Sequence, residues 1–106
     1  RDDQFGACVM FGLGGVLAEL EPDVAFALAP LDLAAAARLV RAPRNRRLIE
    51  GFRGMAPLRQ DVMAQLLVDL GRLGAACPQI AQIDINPLVV HAGLPIAVDA
   101  NVVLIK

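Results

Sequence analysis

QIDINPLVV (residues 82–90), HAGL (91–94) and PIAVDANVVL (95–104) make up the stretch that decides the fold of this 106-residue chain. The two outer segments are rich in β-branched residues, and the central segment has glycine at its third position, which is typical of a tight hairpin turn. A turn centred on residues 92–93 sets the register of the hairpin. It predicts three cross-strand pairs: Val90 with Pro95, Asn86 with Asp99, and Asp84 with Asn101.

The predicted hairpin has two faces of different character. Because side chains alternate along a strand, the polar residues of these pairs share one face. We expect the opposite face to be apolar and to pack on helices. Its members are Ile83, Ile85, Val89, Ile96, Val98, Ala100 and Val102.

Two helices are predicted in the middle of the chain. Asp32 is a favourable N-cap for the first, which carries apolar residues at helical spacing and ends at Pro43. The second should run from about Arg59 or Asp61 to Ala76, before another proline. Its apolar stripe consists of Val62, Met63, Leu66, Leu67, Leu70 and Leu73.

The amino-terminal part predicts a glycine-rich β region, with antiparallel strands over residues 7–11, 16–20 and 24–29. Gly12, Gly14 and Gly15 match neither G-x-G-x-x-G nor G-x-x-x-x-G-K-[ST], so close backbone packing is a better interpretation than a phosphate-binding loop. Together the elements predict an α+β fold in a single domain, 1–106. An antiparallel β-sheet carries two helices packed on one face.

Composition narrows the class of protein. Hydrophobic residues make up 57% of the chain and the mean hydropathy is +0.56, which indicates apolar surface intended for a neighbour. The longest uncharged apolar stretch, residues 7–18, is too short to span a membrane, and the net charge of −1 gives no attraction to nucleic acid.

Cys8 and Cys77 are predicted to be buried free thiols. We expect a cytoplasmic protein.

Asp84, Asn86 and Asp99 are the candidate site. Two carboxylates and an amide oxygen within cross-strand reach are hard oxygen ligands of the kind that Mg²⁺ takes from proteins. The alternative is a solvent-exposed polar face with no ligand.

A family resemblance favours the metal site. The string IDINPLVV (83–90), followed by VDA (98–100), resembles the metal-binding signature of the ATP-grasp domain in ADP-forming acyl-CoA synthetases and in the related succinyl-CoA synthetase β subunit. The similarity extends along the chain through FG (5–6), VMFGLGG (9–15) with Glu19, DV (23–24), Phe26, LAPL (28–31), and LIEGFRG (48–54) with Pro57 and Asp61.

This resemblance implies an ATP-grasp carboxy-terminal lobe that binds Mg²⁺ and ATP or ADP. It implies that Asp84, Asn86 and Asp99 hold the metal, that Glu19 faces the nucleotide, and that Arg53 meets a phosphate as a catalytic cation or, alternatively, is structural. It further implies phosphoryl transfer to a phosphohistidine on another domain, which is not His91. The implied partners are an amino-terminal ATP-grasp lobe and CoA-binding domains, with no nucleic acid and no membrane.

The chain also departs from the family pattern. Ala27 and Asn101 stand where basic residues are usual, Arg59 where an acidic residue is common, and Gln82 where glutamate is common. These changes weaken the expected anion stabilisation and leave the proposed metal ligands in place. We expect the 106-residue chain alone to lack synthetase activity.

Two other functions compete with the synthetase lobe. One is a regulatory synthetase-like module of a GNAT protein lysine acetyltransferase, which the neutral Ala27 and Asn101 favour. The other is a non-catalytic interaction domain that pairs through exposed apolar surface as a homodimer.

Overall fold

The computed structural model describes residues 1–2, 4, 6–13, 23–44, 46–51, 54–85 and 88–105, apart from the side chains of Leu13 and Leu48. Its elements follow the order β1 (Cys8–Leu13), β2 (Asp23–Leu28), α1 (Leu33–Arg41), α2 (Arg47–Glu50), α3 (Gln60–Ala76), β3 (Ile80–Ile85), β4 (Leu88–His91), β5 (Leu94–Ala97) and β6 (Ala100–Leu104). The strands form antiparallel ladders of β1 with β2, β3 with β6, and β4 with β5. The predicted α+β class is confirmed.

The β1–β2 pair confirms two of the three predicted amino-terminal strands. Phe11 faces Ala25 and Gly12 faces Val24 across the ladder. A carbon added at Gly12 would lie 2.9 Å from the carbonyl oxygen of Asp23 and would collide with the Val24 side chain, which supports close packing as the reason for this glycine. The third predicted strand, together with Gly14 and Gly15, lies outside the described residues.

The outer face of the β1–β2 pair is apolar and exposed. Met10 faces Phe26, and these side chains are 66% and 65% exposed. Antiparallel pairs that face water on one side usually carry polar residues there. This face therefore accounts for part of the high apolar fraction of the sequence.

Both predicted helices are present. Asp32 caps α1, because its carboxylate accepts a hydrogen bond of 2.8 Å from the backbone N–H of Ala35. Helix α3 spans the predicted range, but its buried stripe is shifted: Leu73 is 45% exposed, and Gly71 is buried instead. A carbon added at Gly71 would lie 2.7 Å from a methyl carbon of Leu31, so this glycine lets the helix approach the segment that follows β2. The short α2 was not predicted.

The core lies between the helices and the inner faces of the strands. Helix α1 packs on α3 and β2, and α3 packs on β1 and β5. Within the described ranges, none of the helices has the length and apolar character needed to span a bilayer. The buried apolar residues are Val9, Leu31, Ala36, Leu39, Val40, Ile49, Leu58, Met63, Ala64, Leu67 and Val68.

The predicted register of the carboxy-terminal hairpin is confirmed where the residues are described. Val90 faces Pro95 in the β4–β5 ladder, and Asp84 faces Asn101 in the β3–β6 ladder. The pair of Asn86 with Asp99 involves a residue outside the described part of the chain.

The prediction of one continuous apolar face on this hairpin was wrong. In β3 the more buried side chains are Ile83 and Ile85, whereas in β4 they are Leu88 and Val90, which pack against the core. Helix α3 packs on β5, the partner of β4, so the side of this pair that carries Leu88 and Val90 is turned to the core. Ile83 and Ile85 are half-buried but are not part of the core cluster. The predicted face members Val89, Ile96, Val98 and Val102 are 42%, 42%, 61% and 52% exposed, and Ala100 is exposed as well.

Candidate functional site

The β3–β6 ladder carries the described part of the predicted site. Asp84 lies in β3 and faces Asn101 in β6, and both residues are exposed. Facing residues of an antiparallel pair project to the same side, with Cβ atoms about 5 Å apart. The ladder thus brings a carboxylate and an amide to one face, as the sequence predicts.

Asp99 stands immediately before β6. It is exposed, and the next residue, Ala100, faces Ile85 across the ladder. Asp99 precedes Asn101, the cross-strand partner of Asp84, by two positions. The fold therefore brings both described acidic residues of the predicted set to the same end of the ladder.

Two acidic side chains of this face have no partner among the described residues. Within the described ranges, no hydrogen bond or ion pair occupies the side chain of Asp84, Asp99 or Asn101. Those ranges also contain no group of three or more histidine, cysteine, aspartate or glutamate side chains that could hold a metal ion. Asp84 and Asp99 are therefore the two described acidic residues of the predicted ligand set.

The other predicted site residues lie outside the described residues. These are Asn86, the amide ligand; Glu19, the proposed nucleotide contact; and Arg53, the proposed catalytic cation. Their roles stay predictions.

The turn between β4 and β5 fixes the hairpin to the helical layer. Ala92 and Gly93 have φ angles of 51° and 81°, as a type I′ turn requires, and Gly93 is buried. The carbonyl oxygen of Gly93 accepts a hydrogen bond of 2.8 Å from the backbone N–H of Arg59, just before α3. His91 is exposed at the end of β4 and faces Leu94.

Two further contacts were not predicted from the sequence. The Arg1 guanidinium donates hydrogen bonds of 2.8 and 3.2 Å to the carbonyl oxygens of Gly74 and Cys77, where it stabilises the carboxyl end of α3. The backbone N–H of Arg44 donates to the carboxylate of Asp23 over 2.6 Å. These contacts join distant segments, so no local pattern in the sequence indicates them.

The two cysteines are nearly as predicted. Cys8 and Cys77 are free thiols, although both are half-buried rather than buried. Among residues 38–47, the described arginines are all exposed, namely Arg38, Arg41, Arg44, Arg46 and Arg47.

An open groove between α1 and α3 lies apart from the acidic face. It is lined by apolar side chains, among them Leu33 and Leu66, and by Asp61 and Asp69. A hydrogen bond of 2.9 Å from the Arg59 guanidinium lowers the pKa of Asp61. Asp69 accepts a hydrogen bond from Gln65. The acidic residues of the groove are therefore already engaged, whereas Asp84 and Asp99 have no side-chain partner among the described residues.

Comparison with known proteins gives consistent matches over almost the whole chain. A protein family described as ATP-grasp domain matches residues 1–104. The β subunit of ADP-forming acetate–CoA ligase I from Pyrococcus furiosus is 39% identical over 104 residues, which cover 98% of this chain and 45% of that subunit. ADP-forming acetate–CoA ligase I from Archaeoglobus fulgidus is 38% identical over 104 residues, which cover 98% of this chain and 15% of that protein.

A solved structure has the same fold. It is the dinucleotide-forming acetyl-coenzyme A synthetase 1 of Ca. Korarchaeum cryptofilum, in complex with coenzyme A and Mg-AMPPCP, with its phosphohistidine segment pointing towards the nucleotide-binding site. The TM-score is 0.88 at 40% identity, and the match covers 98% of this chain and 49% of that one. The chain thus spans less than half the length of each of these relatives.

Proposed function

This chain belongs to the ATP-grasp family, and we propose that it forms the Mg²⁺–nucleotide-binding lobe of an ADP-forming acyl-CoA synthetase. The observation that carries the proposal is a pair of exposed carboxylates at one end of the β3–β6 ladder, Asp84 on β3 and Asp99 immediately before β6. The relatives support it, because they are ADP-forming ligases and the matched synthetase was solved with Mg-AMPPCP.

The chemistry of the described residues fits a magnesium ion. Mg²⁺ prefers hard oxygen ligands, is bound through one or two carboxylates together with substrate phosphates, and keeps several water molecules. Asp84 on β3 and Asp99 immediately before β6 supply two such carboxylates at one end of a hydrogen-bonded ladder. We propose Asn86 as the third ligand of this set.

The proposed role of these residues is to hold and orient the nucleotide. Mg²⁺ at this face would neutralise negative charge on the β- and γ-phosphates during in-line phosphoryl transfer. Asp84 and Asp99 fix the position of that charge relative to the sheet. Glu19 is proposed to contact the nucleotide, and Arg53 to meet the transferred phosphate.

The phosphate acceptor in this proposal is a histidine on another domain. Support comes from the phosphohistidine segment of the matched synthetase, which points towards its nucleotide-binding site. We propose that residues 1–106 are a single domain that works with an amino-terminal ATP-grasp lobe and with CoA-binding domains. The exposed apolar face around Met10 and Phe26 is a candidate surface for such contacts.

The two competing functions gain no support from these relatives. The acetyltransferase module was favoured by Ala27 and Asn101 alone, and the reported relatives are ligases and a synthetase. The exposed apolar face is compatible with a homodimer, but no observation identifies a second copy of the chain as the partner that covers this face.

A titration tests the proposal on the chain itself. We expect Mg²⁺ with ADP to shift the amide resonances of residues 80–85 and 99–104, and Asp84→Asn to remove these shifts. Asp69→Asn is the matched control, because this aspartate is exposed on α3, outside the proposed face. Binding by Asp84→Asn equal to that of the wild type would contradict the proposal.

Turnover is tested in the complete synthetase that contains this domain. Asp99→Asn should abolish ATP-dependent acyl-CoA formation there, because the change removes one of two charged metal ligands. Undiminished turnover would show that Asp99 has no part in the reaction.

A further inference from the structure

Residues 1–2 connect the edges of two separate ladders. Asp2 and Gly6 exchange two backbone hydrogen bonds of 2.7 and 2.8 Å, immediately before β1. The amino nitrogen of Arg1 donates to the carbonyl oxygen of Ala81 over 3.0 Å, at a position of β3 that has no partner residue in β6. The space between the outer edges of β1 and β3, here termed the strand gap, is therefore filled at one end by these first two residues.

The hydrogen-bonding pattern shows which amides of β1 face the strand gap. The N–H of Ala29 donates to the carbonyl oxygen of Ala7 over 2.8 Å, so Ala7 bonds towards β2, whereas Gly6 bonds towards Asp2 on the other side. Successive residues of a strand bond in alternate directions. In the described part of the chain, β1 is paired along its length with β2 alone. The amides that point into the strand gap are those of Cys8, Met10 and Gly12.

We propose that the strand gap is the binding site of one extended segment, which leads into Arg1 in the complete synthetase. The segment continues the pairing of Asp2 with Gly6 along β1, and its other edge bonds to β3. It joins the β1–β2 and β3–β6 ladders into one antiparallel sheet. Main-chain hydrogen bonds provide the recognition, as in other cases of strand addition. The site depends on the proposed function only for the source of the segment.

The composition of β1 supports an edge that is covered by another strand. Exposed edge strands usually carry charged residues or proline, which prevent the addition of a further strand. Strand β1 reads CVMFGL and contains neither. Val9 is only 4% exposed and fixes the strand in the core. The edge of β1 is thus uncharged, held in place and open to pairing.

The β3–β6 ladder requires such support more than the other elements. A ladder of two strands is only marginally stable in water, and every residue of β6 is exposed. Arg1 lies beside the first residues of β3, so residues that precede it can follow the rest of β3 only by running antiparallel to it. A strand in this position would connect the ladder that carries Asp84 directly to β1.

The side chain of Arg1 holds the entry of the segment in place. Its guanidinium donates to the carbonyl oxygens of Gly74 and Cys77, at the end of α3, and over 3.2 Å to that of Ile80 at the start of β3. These bonds fix Arg1 between the helix and the strand. A segment that enters through Arg1 is therefore directed into the strand gap.

The experiment places two different extensions of six residues, the length of β1, before Arg1 of the 106-residue chain. One alternates threonine and valine, which favour strands, and the matched control alternates glycine and serine, which stay flexible. We expect the strand-forming extension to slow amide hydrogen exchange at Cys8 and Met10 about tenfold relative to the control, measured by NMR. Val9 and Phe11 bond towards β2 in both chains and should differ much less.

Cys8→Pro distinguishes strand pairing from other effects of the extension. The change removes an N–H that faces the strand gap, at the first residue of β1, where a strand edge tolerates proline. We expect it to abolish the slower exchange at Met10, whereas Cys8→Ala should preserve it. Equal exchange in the two extended chains would overturn the proposal, and so would slow exchange at Met10 that persists in Cys8→Pro.

The complete synthetase tests the natural segment. Its amides at Cys8 and Met10 should exchange at least as slowly as in the strand-extended chain, and faster exchange would show that the synthetase does not fill the strand gap. None of these measurements contains a metal ion or a nucleotide. Failure here would leave the proposed metal face intact, and failure of the Mg²⁺ titration would leave the strand site intact.

Discussion

Ala92 adopts a backbone conformation that few residues other than glycine and asparagine favour. Its φ of 51° lies in the left-handed region, and Gly93 follows with a φ of 81°. This region costs an ordinary L-residue roughly 1–2 kcal/mol, whereas asparagine tolerates it and Asn-Gly is the preferred type I′ pair. The chain therefore keeps a local strain at the turn that sets the register of both carboxy-terminal ladders.

Ala92→Asn should stabilise the protein. Since Ala92 is exposed, the substitution sacrifices no packing, and we expect the free energy of unfolding to rise by about 1 kcal/mol. Urea denaturation measures the change, and Ala92→Val, with a β-branched side chain, should lower the same quantity. A loss of stability in Ala92→Asn would argue against a type I′ turn.

At the scale of the secondary-structure element, the stability of helix α1 depends on the residues at its amino-terminal end. Its first turn contains no acidic residue, so the Asp32 carboxylate, which accepts from Ala35 N–H over 2.8 Å, is its main amino-terminal stabilisation. At the other end Arg38 and Arg41 occupy the last turn, where cations suit the helix dipole. The buried Ala36, Leu39 and Val40 then connect this helix to the core.

Asp32→Ala should lower the free energy of unfolding by about 1 kcal/mol, because it leaves an amide of the first turn without its acceptor. Asp32→Ser and Asp32→Asn retain an acceptor and should lose much less. Thermal unfolding of the three variants provides the comparison. Equal stability of Asp32→Ala and Asp32→Asn would mean that the cap does not contribute.

At the scale of the molecule, Gly93 joins the carboxy-terminal hairpin to the helical layer. It is buried, its carbonyl oxygen accepts from Arg59 N–H, and a carbon added to it would lie 2.9 Å from the carbonyl oxygen of Pro57. The position of the β3–β6 ladder, and with it that of Asp84 and Asp99, is linked to the helices through this contact and through the packing of α3 on β5.

Gly93→Ala should destabilise the protein by about 2–3 kcal/mol, from backbone strain together with the contact to Pro57. Gly54→Ala is the matched control, because Gly54 also has a positive φ, of 77°, but an added carbon there meets none of the described residues within 4 Å. Chemical denaturation should give a loss of about 1–2 kcal/mol for this control. If Gly93→Ala lowers the free energy of unfolding no more than Gly54→Ala does, the close contact with the Pro57 carbonyl oxygen adds nothing to the destabilisation.

The sequence by itself determined helices α1 and α3, the hairpin register, and the placing of Asp84 and Asp99 at one end of the β3–β6 ladder. Helix caps, helical spacing and the 91–94 turn are local features, and the chemistry of a few neighbouring residues sets them. This is why Asp84 was correctly placed opposite Asn101. The roles of Asn86, Glu19 and Arg53 came from the family resemblance and stay predictions.

Only the tertiary structure decided which side chains face the core. The packing of Leu88 and Val90 against the core, the buried Gly71 and the hydrogen bond from Arg59 to Gly93 all depend on where α3 rests against the strands. These features join segments far apart in the chain. Alternation along a strand predicts that two faces exist, but the face that is buried depends on the element that packs against it.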